Sequence, residues 1–442
     1  MNNLLLKICF LLDNSRKEEC SNFTNQISEI LSVIFKSDYF IILTLLIFII
    51  LFKIIFTNET KIYDKYFFSV GLFFLFLIII LNFRTNIPWV DDWEWIENLQ
   101  LKKYSITEWL FQPTNIHNIF FVKLLFLLVD KFLNLNVEFF SFLSIILIFI
   151  ISIIFLNKEK KLNHYFVLVV IFLIFSGKQF ANISQSSNIV WTLCFLYIVL
   201  FSYFIFTNKI ISCLLIIIAP LTFGLGYVLP LYVIFFIYFT NLSNNTKSLY
   251  VIFSALSILI SYLSPQIMVD VNHNSDTSLN YIVNLVNYKF YFTFFAVLAN
   301  VYVPWVNGLS IIGFIIGLLQ IIIIFYFIFK SYSEYGKKVL NKFIQNNILL
   351  MLGLLFALIV SITRPDLQTA VAARYSVGSI VFQIGFWIYF AESQKYLKFS
   401  INKHLKLLIL YIFLTGIFLP YQGIHWQAKR YNENQKVIKC FF

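Results

Sequence analysis

The sequence is poor in charge, since Asp, Glu, Lys and Arg make up only 12% of its 442 residues, whereas a soluble domain carries roughly 25%. Hydrophobic residues make up 60% of the chain, and the mean hydropathy is +0.83. Stretches such as "DYFIILTLLIFIILFKIIF" (38–56) supply the roughly 20 apolar residues that a helix needs to cross a bilayer. The roughly 10-residue alternating strands of a transmembrane barrel are missing from the sequence. The composition excludes a soluble protein and predicts an all-α, polytopic transmembrane protein.

Cysteine is also scarce, and the five cysteines lack the spacing of a metal site. Cys194 and Cys213 fall inside apolar segments. The sequence therefore predicts neither a disulfide framework nor a zinc site. The formal net charge of +12 does not indicate nucleic-acid binding, because the lysines lie in short loops between apolar segments, as the positive-inside rule describes for cytoplasmic loops.

The apolar segments predict about 11–13 spanning helices within one integral membrane domain that covers residues 1–442. The predicted spans are 39–57, 66–83, 137–156, 164–178, 190–207, 209–223, 225–240, 248–264, 309–330, 346–362, 376–392 and 405–419. Two further stretches, 116–133 and 284–302, are ambiguous. If the four basic loops at 157–164, 207–209, 330–338 and 394–406 are all cytoplasmic, neither ambiguous stretch crosses the membrane completely.

This orientation places the long polar connections on the outer side. They are residues 84–136, 177–189, 265–308 and 363–375. Residues 84–136 form the first outer loop, which we expect to contain interfacial helices because its 116–133 stretch carries charges among apolar residues.

The first outer loop concentrates acidic residues in a chain that has few. Five of the 21 acids, namely Asp91, Asp92, Glu94, Glu97 and Glu108, fall within 18 residues. Like charges side by side repel each other unless a cation or a substrate group compensates them. A carboxylate at the membrane surface can take a proton from a sugar hydroxyl, and a tryptophan such as Trp93 can stack on a sugar ring. The alternative is a solvated loop with an aromatic belt.

Arginine is used sparingly, which makes its positions informative. Lysine and arginine total 33, and five are arginine, which leaves 28 lysines. Four arginines, Arg84, Arg364, Arg374 and Arg430, fall on the predicted outer side, against the orientation rule. A guanidinium grips phosphate with two hydrogen bonds, which lysine does less well. Arg374 in "TAVAARYSVGS" is the sharpest candidate for a lipid-linked phosphate, and an interfacial arginine that reaches to water is the alternative.

Three further segments carry candidate binding residues. His117 in "QPTNIHNIFFVKLL" could orient a hydroxyl or help to bind phosphate, unless it is structural. Gln185 and Asn188 lie in "FANISQSSNIVWTL" (180–193), whose amides and hydroxyls suit sugars; a plain connecting loop is the alternative. Glycines and prolines break the apolar run in "APLTFGLGYVLP" (219–230), which at membrane depth indicates a cavity lining or a tight hairpin.

Taken in order, "PWVDDW", "NIHNIFFVKLL", "QSSNIVWTL", "TFGLGYVLP" and "ARYSVGS" resemble bacterial membrane proteins of the GT-C glycosyltransferase superfamily. The resemblance covers most of residues 66–392. It implies transfer of a sugar from a polyprenyl-phosphate donor at the outer face of the bacterial inner membrane. Where the related proteins tend to read Asn-Glu-His-Arg, this chain reads Asn115, Ile116, His117 and Asn118.

The resemblance also implies roles for particular residues. Asp91 or Asp92 would be the catalytic base, and Arg374, with Arg364 or Lys123, would bind the donor phosphate. His117, Glu94, Trp93, Gln185 and Asn188 would contact the substrates. No cofactor is required, because a polyprenyl phosphate leaves with its own charge, although the paired carboxylates could hold a divalent metal.

Two other functions fit the same sequence. An O-antigen or capsule polymerase also acts on lipid-linked glycans at the outer face, but it usually concentrates its outer mass in one large loop late in the chain. A flippase or transporter predicts ionisable residues within the spans, and the central stretches have almost none. The glycosyltransferase is therefore the first expectation, with the lipid-linked sugar, a glycan acceptor and the bilayer as partners.

Overall fold

The computed structural model is helical throughout the part of the chain that it describes. It describes residues 62–83, 95–96, 104–112, 119–134, 136–159, 162, 164–179, 182–183, 186–269, 284–303, 310–336, 338–366, 372 and 375–394. The helices are α1 Ile62–Phe83, α2 Ile106–Phe111, α3 Phe120–Leu133, α4 Glu138–Lys158, α5 His164–Ile174, α6 Ile189–Phe204, α7 Lys209–Ile218, α8 Val228–Phe236, α9 Asn244–Val269, α10 Tyr288–Leu298, α11 Ser310–Tyr335, α12 Lys338–Asn346, α13 Ile348–Thr363 and α14 Ser376–Ser393. Within these residues the all-helical prediction is confirmed.

Several helices are long and apolar enough to cross a membrane. Within the described residues these are Glu138–Lys158, Ser186–Phe204 and Ser310–Glu334. A fourth is added if α12 and α13, which meet at an angle of 83°, count as one broken span. These helices support a helical membrane protein, as the composition predicts. The predicted count of about 11–13 spans stays a prediction, and the predicted spans 39–57 and 405–419 lie outside the described residues.

Helices α13 and α14 pack backbone to backbone through glycine. A Cβ added to Gly353 would overlap Phe382, and one added to Gly385 would overlap the backbone of Leu350. The contact therefore needs residues without side chains at these two positions. Since Gly353 lies opposite Phe382 and the earlier Leu350 lies opposite the later Gly385, the two helices run antiparallel. The end of α13 and the start of α14 consequently lie on the same side of the bundle.

A buried polar network joins α14 to α11 and to the segment after α10. Gln383 and Gln320 exchange two hydrogen bonds of 2.7 Å, and Gln383 also donates to the Leu298 carbonyl over 2.8 Å. The Tyr302 hydroxyl donates to Gln383 over 2.9 Å and accepts from the Trp387 indole over 2.9 Å. Because every amide group of Gln383 is paired, the network satisfies its buried polar atoms and fixes the position of residues 298–303.

The bundle has two chemically different ends. The basic end is named for the predicted basic loops 157–164 and 207–209 and is defined by Lys158, Thr207, Asn347 and Glu392, which line one cavity. The aromatic end, defined by Trp191, Phe223 and Tyr375, lies at the other extremity of α14, because Tyr375 precedes this helix and Glu392 is in its last turn. The two ends of α14 therefore identify the two ends of the bundle.

Helices α3 and α10 begin and end on the side of the aromatic end. The Phe121 amide donates to the Leu221 carbonyl over 3.3 Å, and Phe126 stacks on Phe140 near the start of α4 at 5.2 Å between ring centroids. Asn284, before α10, donates to the Ile362 carbonyl over 2.8 Å, and Asn300, after it, donates to the Ala372 carbonyl over 3.0 Å. Since residues 362 and 372 flank the connection from α13 to α14, the residues before and after α10 both lie at the aromatic end. Helix α3 lies between Leu221 and the start of α4, at the opposite end of α4 from Lys158.

Candidate functional site

Segments that are remote in sequence meet at the aromatic end. The indole of Trp191 packs edge-to-face on Phe223 with ring centroids 4.7 Å apart and on Tyr375 with centroids 5.5 Å apart. The hydrogen bond from the Phe121 amide to the Leu221 carbonyl places the start of α3 beside the turn that contains Phe223. Four of the sequence segments singled out above therefore meet around "APLTFGLGYVLP" and Trp191: this segment contacts "NIHNIFFVKLL" and "QSSNIVWTL", and the latter contacts "ARYSVGS". Tyr375 directly follows Arg374 in the sequence, and Arg374 itself lies outside the described residues.

The two described residues next to the acidic stretch of the first outer loop, Trp95 and Ile96, pack into the core. Trp95 is 3% exposed and packs edge-to-face on Phe126 of α3 with ring centroids 5.4 Å apart. Ile96 is also buried. The predicted site residues Asp91, Asp92, Trp93 and Glu94 immediately precede Trp95 in the sequence and lie outside the described residues, as do His117 and Gln185.

Lys123 holds the first outer loop against α3. Its side chain is 2% exposed, and its ammonium donates 2.7 Å hydrogen bonds to the carbonyls of Trp109 and Gln112. The ammonium also lies 5.1 Å from the centre of the Trp109 ring. These carbonyls belong to the end of the short helix α2, where unpaired carbonyls attract a positive group. The contacts give Lys123 a structural role, and phosphate binding by Lys123 stays a prediction.

The short helix α2 has its own polar start. Ser105 and Glu108 form a capping box in which the Ser105 amide donates to the Glu108 carboxylate over 2.8 Å and the Glu108 amide donates to the Ser105 hydroxyl over 3.2 Å. Hydrogen bonding of the carboxylate with Ser105, first with its backbone amide and then with its hydroxyl, lowers the pKa of Glu108. Glu108, the last of the five clustered acids, therefore stabilises a helix terminus.

A second buried lysine, Lys178, lies in the connection that follows α5. It is 3% exposed, and its ammonium donates to both the backbone carbonyl of Asn300, over 2.8 Å, and the side-chain Oδ1 of the same residue. Asn300 in turn donates to the Ala372 carbonyl over 3.0 Å. This chain of contacts joins three of the predicted outer connections, 177–189, 265–308 and 363–375. It also places the Lys178 amine close to the segment that contains Arg374 in the sequence.

Two other predicted site residues lie at the edges of the same region. Arg364 follows α13 directly, its side chain is exposed, and its backbone amide donates to the Val360 carbonyl over 2.8 Å. Asn188 is half-buried, directly precedes α6, and its side chain does not cap that helix. Asn188 therefore flanks the helix end that carries Trp191, and Arg364 flanks the end of α13 that precedes the connection to Tyr375.

Three buried polar atoms near these contacts have no hydrogen-bond partner among the described residues. They are Gln179 Oε1, Thr192 Oγ1 and Ser376 Oγ. Each belongs to the residue directly after a contact residue described above: Lys178, Trp191 and Tyr375. A buried polar atom without a partner costs about 1–3 kcal/mol, and water or a ligand group is the usual explanation. The aromatic end therefore contains polar groups suited to a polar ligand.

Sequence reasoning missed Lys178 and Asn300. Lys178 carried a usable signal, because a lysine on the predicted outer side is as contrary to the positive-inside rule as the four arginines. Asn300 carried none, since its partners are 122 and 72 residues away. Among the described residues no group of three His, Cys, Asp or Glu side chains is placed to hold a metal ion; Asp91 and Asp92 are not among them.

Comparison of the chain with protein families, curated proteins and solved structures finds no match.

Proposed function

We propose that the protein is a membrane glycosyltransferase that moves a sugar from a polyprenyl-phosphate donor to a glycan or another acceptor at the outer face of the bacterial inner membrane. The observation that supports this function is the meeting of Trp95, Trp191, Tyr375 and the Lys178–Asn300 pair around one end of the bundle. Aromatic faces bind sugar rings, and cations bind phosphate. The proposal includes the GT-C-like architecture of about 11–13 spans with interfacial helices in the outer loops.

The chemistry is an inverting substitution. Asp91 or Asp92 takes the proton from the acceptor hydroxyl, whose oxygen forms a bond to the anomeric carbon as the bond from that carbon to the phosphate oxygen breaks. The polyprenyl phosphate leaves with the bonding electrons. Arg374, with Arg364, stabilises the developing charge on the phosphate. The step needs no metal, although Asp91 and Asp92 have the oxygen ligands that a divalent ion prefers.

The test is transfer of radiolabelled sugar from a panel of polyprenyl-phosphate sugars by purified protein in lipid. We expect the wild type to transfer one of these sugars, and either Asp91→Asn or Asp92→Asn to lose transfer by a factor of about 10²–10⁴, the usual contribution of a general base. Arg374→Ala should weaken donor binding. Glu334→Gln, which changes an exposed acid far from the aromatic end, is the matched control and should transfer at the wild-type rate.

Other outcomes would favour the other two functions. A wild type that transfers no single sugar but changes the length of surface glycans in cells is a polymerase. A wild type that moves lipid-linked glycans between leaflets without a covalent product is a flippase. Transfer that is equal in the wild type and in all three site variants contradicts the assigned residues.

A further inference from the structure

The basic end contains a cavity that the proposed transfer reaction does not use. Its volume is about 280 Å³, and its walls include Lys158, Glu159, Asn347, Gly385 and Glu392. One water molecule in the liquid occupies about 30 Å³, so the cavity can hold a small molecule or a lipid head group. It lies at the opposite extremity of α14 from Tyr375.

Two acidic residues from different parts of the chain line this cavity. Glu159 follows α4, and Glu392 is in the last turn of α14. Burial raises the pKa of Glu159, and the neighbouring Lys158 opposes this shift. Both carboxylates line this one cavity. Two like charges on the wall of one cavity favour a positive group between them.

Of the two lysines near these carboxylates, one donates a hydrogen bond to a backbone carbonyl and the other does not line the cavity. The Lys158 ammonium donates to the Ser202 carbonyl over 3.2 Å. Lys342, on α12, attracts Glu392 but does not line the cavity. The lining therefore carries two acids and one lysine, an excess of one negative charge.

Asn347 adds an acceptor that is independent of the two acids. It lies at the break between α12 and α13 and is 4% exposed. Its Nδ2 donates to the Phe343 carbonyl over 2.9 Å, whereas its Oδ1 has no hydrogen-bond partner among the described residues. Two carboxylates and an amide oxygen offer acceptors only. Their natural complement is a cation with several N–H donors, and an ammonium group has three.

We infer that this cavity binds a primary ammonium group, held by the carboxylates of Glu159 and Glu392 and by Oδ1 of Asn347. The group can belong to a small soluble amine or to the head group of an aminophospholipid, because both present the same chemistry. The site is separate from the proposed site of sugar transfer, and its occupation does not depend on that proposal.

The test compares two cations on the full-length protein in detergent. Ethylammonium has N–H donors and tetramethylammonium has none, so calorimetry should detect binding of ethylammonium only. Glu392→Gln and Asn347→Leu should each weaken this binding by about tenfold or more, because each removes an acceptor for a charged donor. Asn347→Asp should tighten it, since a carboxylate replaces the amide oxygen. This last variant keeps the test informative if Asn347→Leu does not fold.

Glu334→Gln is the control, because Glu334 is an exposed acid that does not line the cavity, and it should bind ethylammonium like the wild type. In nanodiscs, weaker ethylammonium binding with phosphatidylethanolamine than with phosphatidylcholine identifies the lipid head group as the natural source. Equal binding in both lipids identifies a soluble amine. The inference is overturned if ethylammonium does not bind, if tetramethylammonium binds equally, or if Glu392→Gln and Asn347→Asp both bind like the wild type.

Discussion

The two ends of the bundle are built in different ways. At the basic end, short connections such as Ile205–Asn208 join consecutive helices, and the chain returns quickly into the bundle. At the aromatic end, segments 100 to 200 residues apart contact each other, as Trp191 and Tyr375 or Lys178 and Asn300 do. Long connections that converge at one end of a rigid bundle are typical of binding and catalytic sites. This difference makes the aromatic end the better candidate for a catalytic site. The basic end is the better candidate for a site that binds a smaller ligand.

The largest effect should come from replacing one lysine at each end, each of which donates to a backbone carbonyl. Lys178→Met removes the hydrogen bonds to Asn300 and leaves both buried Asn300 acceptors without this donor, so we expect sugar transfer to fall about tenfold to hundredfold. Lys158→Met removes an exposed lysine at the basic end that donates to the Ser202 carbonyl, and transfer should stay within about twofold. Initial rates of both folded variants measure this. Equal losses in the two variants would show that the ends do not differ.

A second test compares the close contact between α13 and α14 with a looser helix contact at Gly313. Gly353→Ala puts a Cβ into Phe382, so the variant should lose about 1–3 kcal/mol of stability, although alanine normally favours a helix. At Gly313 an added Cβ would lie 3.2 Å from the Ala296 carbonyl oxygen, and Gly313→Ala should cost less. Unfolding in denaturing detergent measures both changes. The reverse order would contradict the close contact of α13 and α14.

Disruption of the polar network around Gln383 should lower stability and transfer by a similar or smaller amount. Gln383→Leu removes both hydrogen bonds of the Gln320 amide, the acceptor of the Tyr302 hydroxyl and one of the donors to the Leu298 carbonyl, which should cost about 1–3 kcal/mol and lower transfer as residues 298–303 lose their position. Gln345→Leu changes a half-buried glutamine at the basic end and should affect transfer little. Parallel unfolding and transfer assays check this prediction. It is contradicted if Gln345→Leu lowers transfer as much as Gln383→Leu does.

The smallest effect concerns the cap of α2 and depends on pH. Because hydrogen bonds lower the pKa of Glu108 in the folded protein, its contribution to stability is present above the ordinary carboxyl pKa of about 4.3. It is lost as the pH falls through the lowered value. The unfolding midpoint of Glu108→Gln should therefore lie slightly below that of the wild type at neutral pH and meet it in acid. A difference that persists in strong acid would exclude this explanation.

Much of the fold follows from the apolar runs, but the contacts at the aromatic end do not. The predicted segments 137–156 and 346–362 correspond closely to α4 Glu138–Lys158 and α13 Ile348–Thr363, because continuous apolar residues need a spanning helix. The glycine-rich break near Phe223 was also recognisable, and the structure has a 3-10 turn at Gly224–Tyr227.

The sequence could not show which residues of the chain contact each other. The resemblance implies phosphate binding by Lys123, and the sequence gives no sign that its ammonium contacts two carbonyls at the end of α2. Gln320 and Gln383 carry no sequence signal for their pairing, because 63 residues separate them. Helix formation depends on local pattern, whereas these contacts depend on which helices become neighbours, and no local pattern specifies that choice.

Photocrosslinking of a polyprenyl-phosphate sugar that carries a photoreactive group next to the phosphate tests the central claim most directly. We expect label on the peptides that contain Lys178, Trp191 and Tyr375, and loss of that label when an unmodified donor competes. Label confined to the peptides of the basic end, around Lys158 and Asn347, would contradict the assignment of the donor site to the aromatic end.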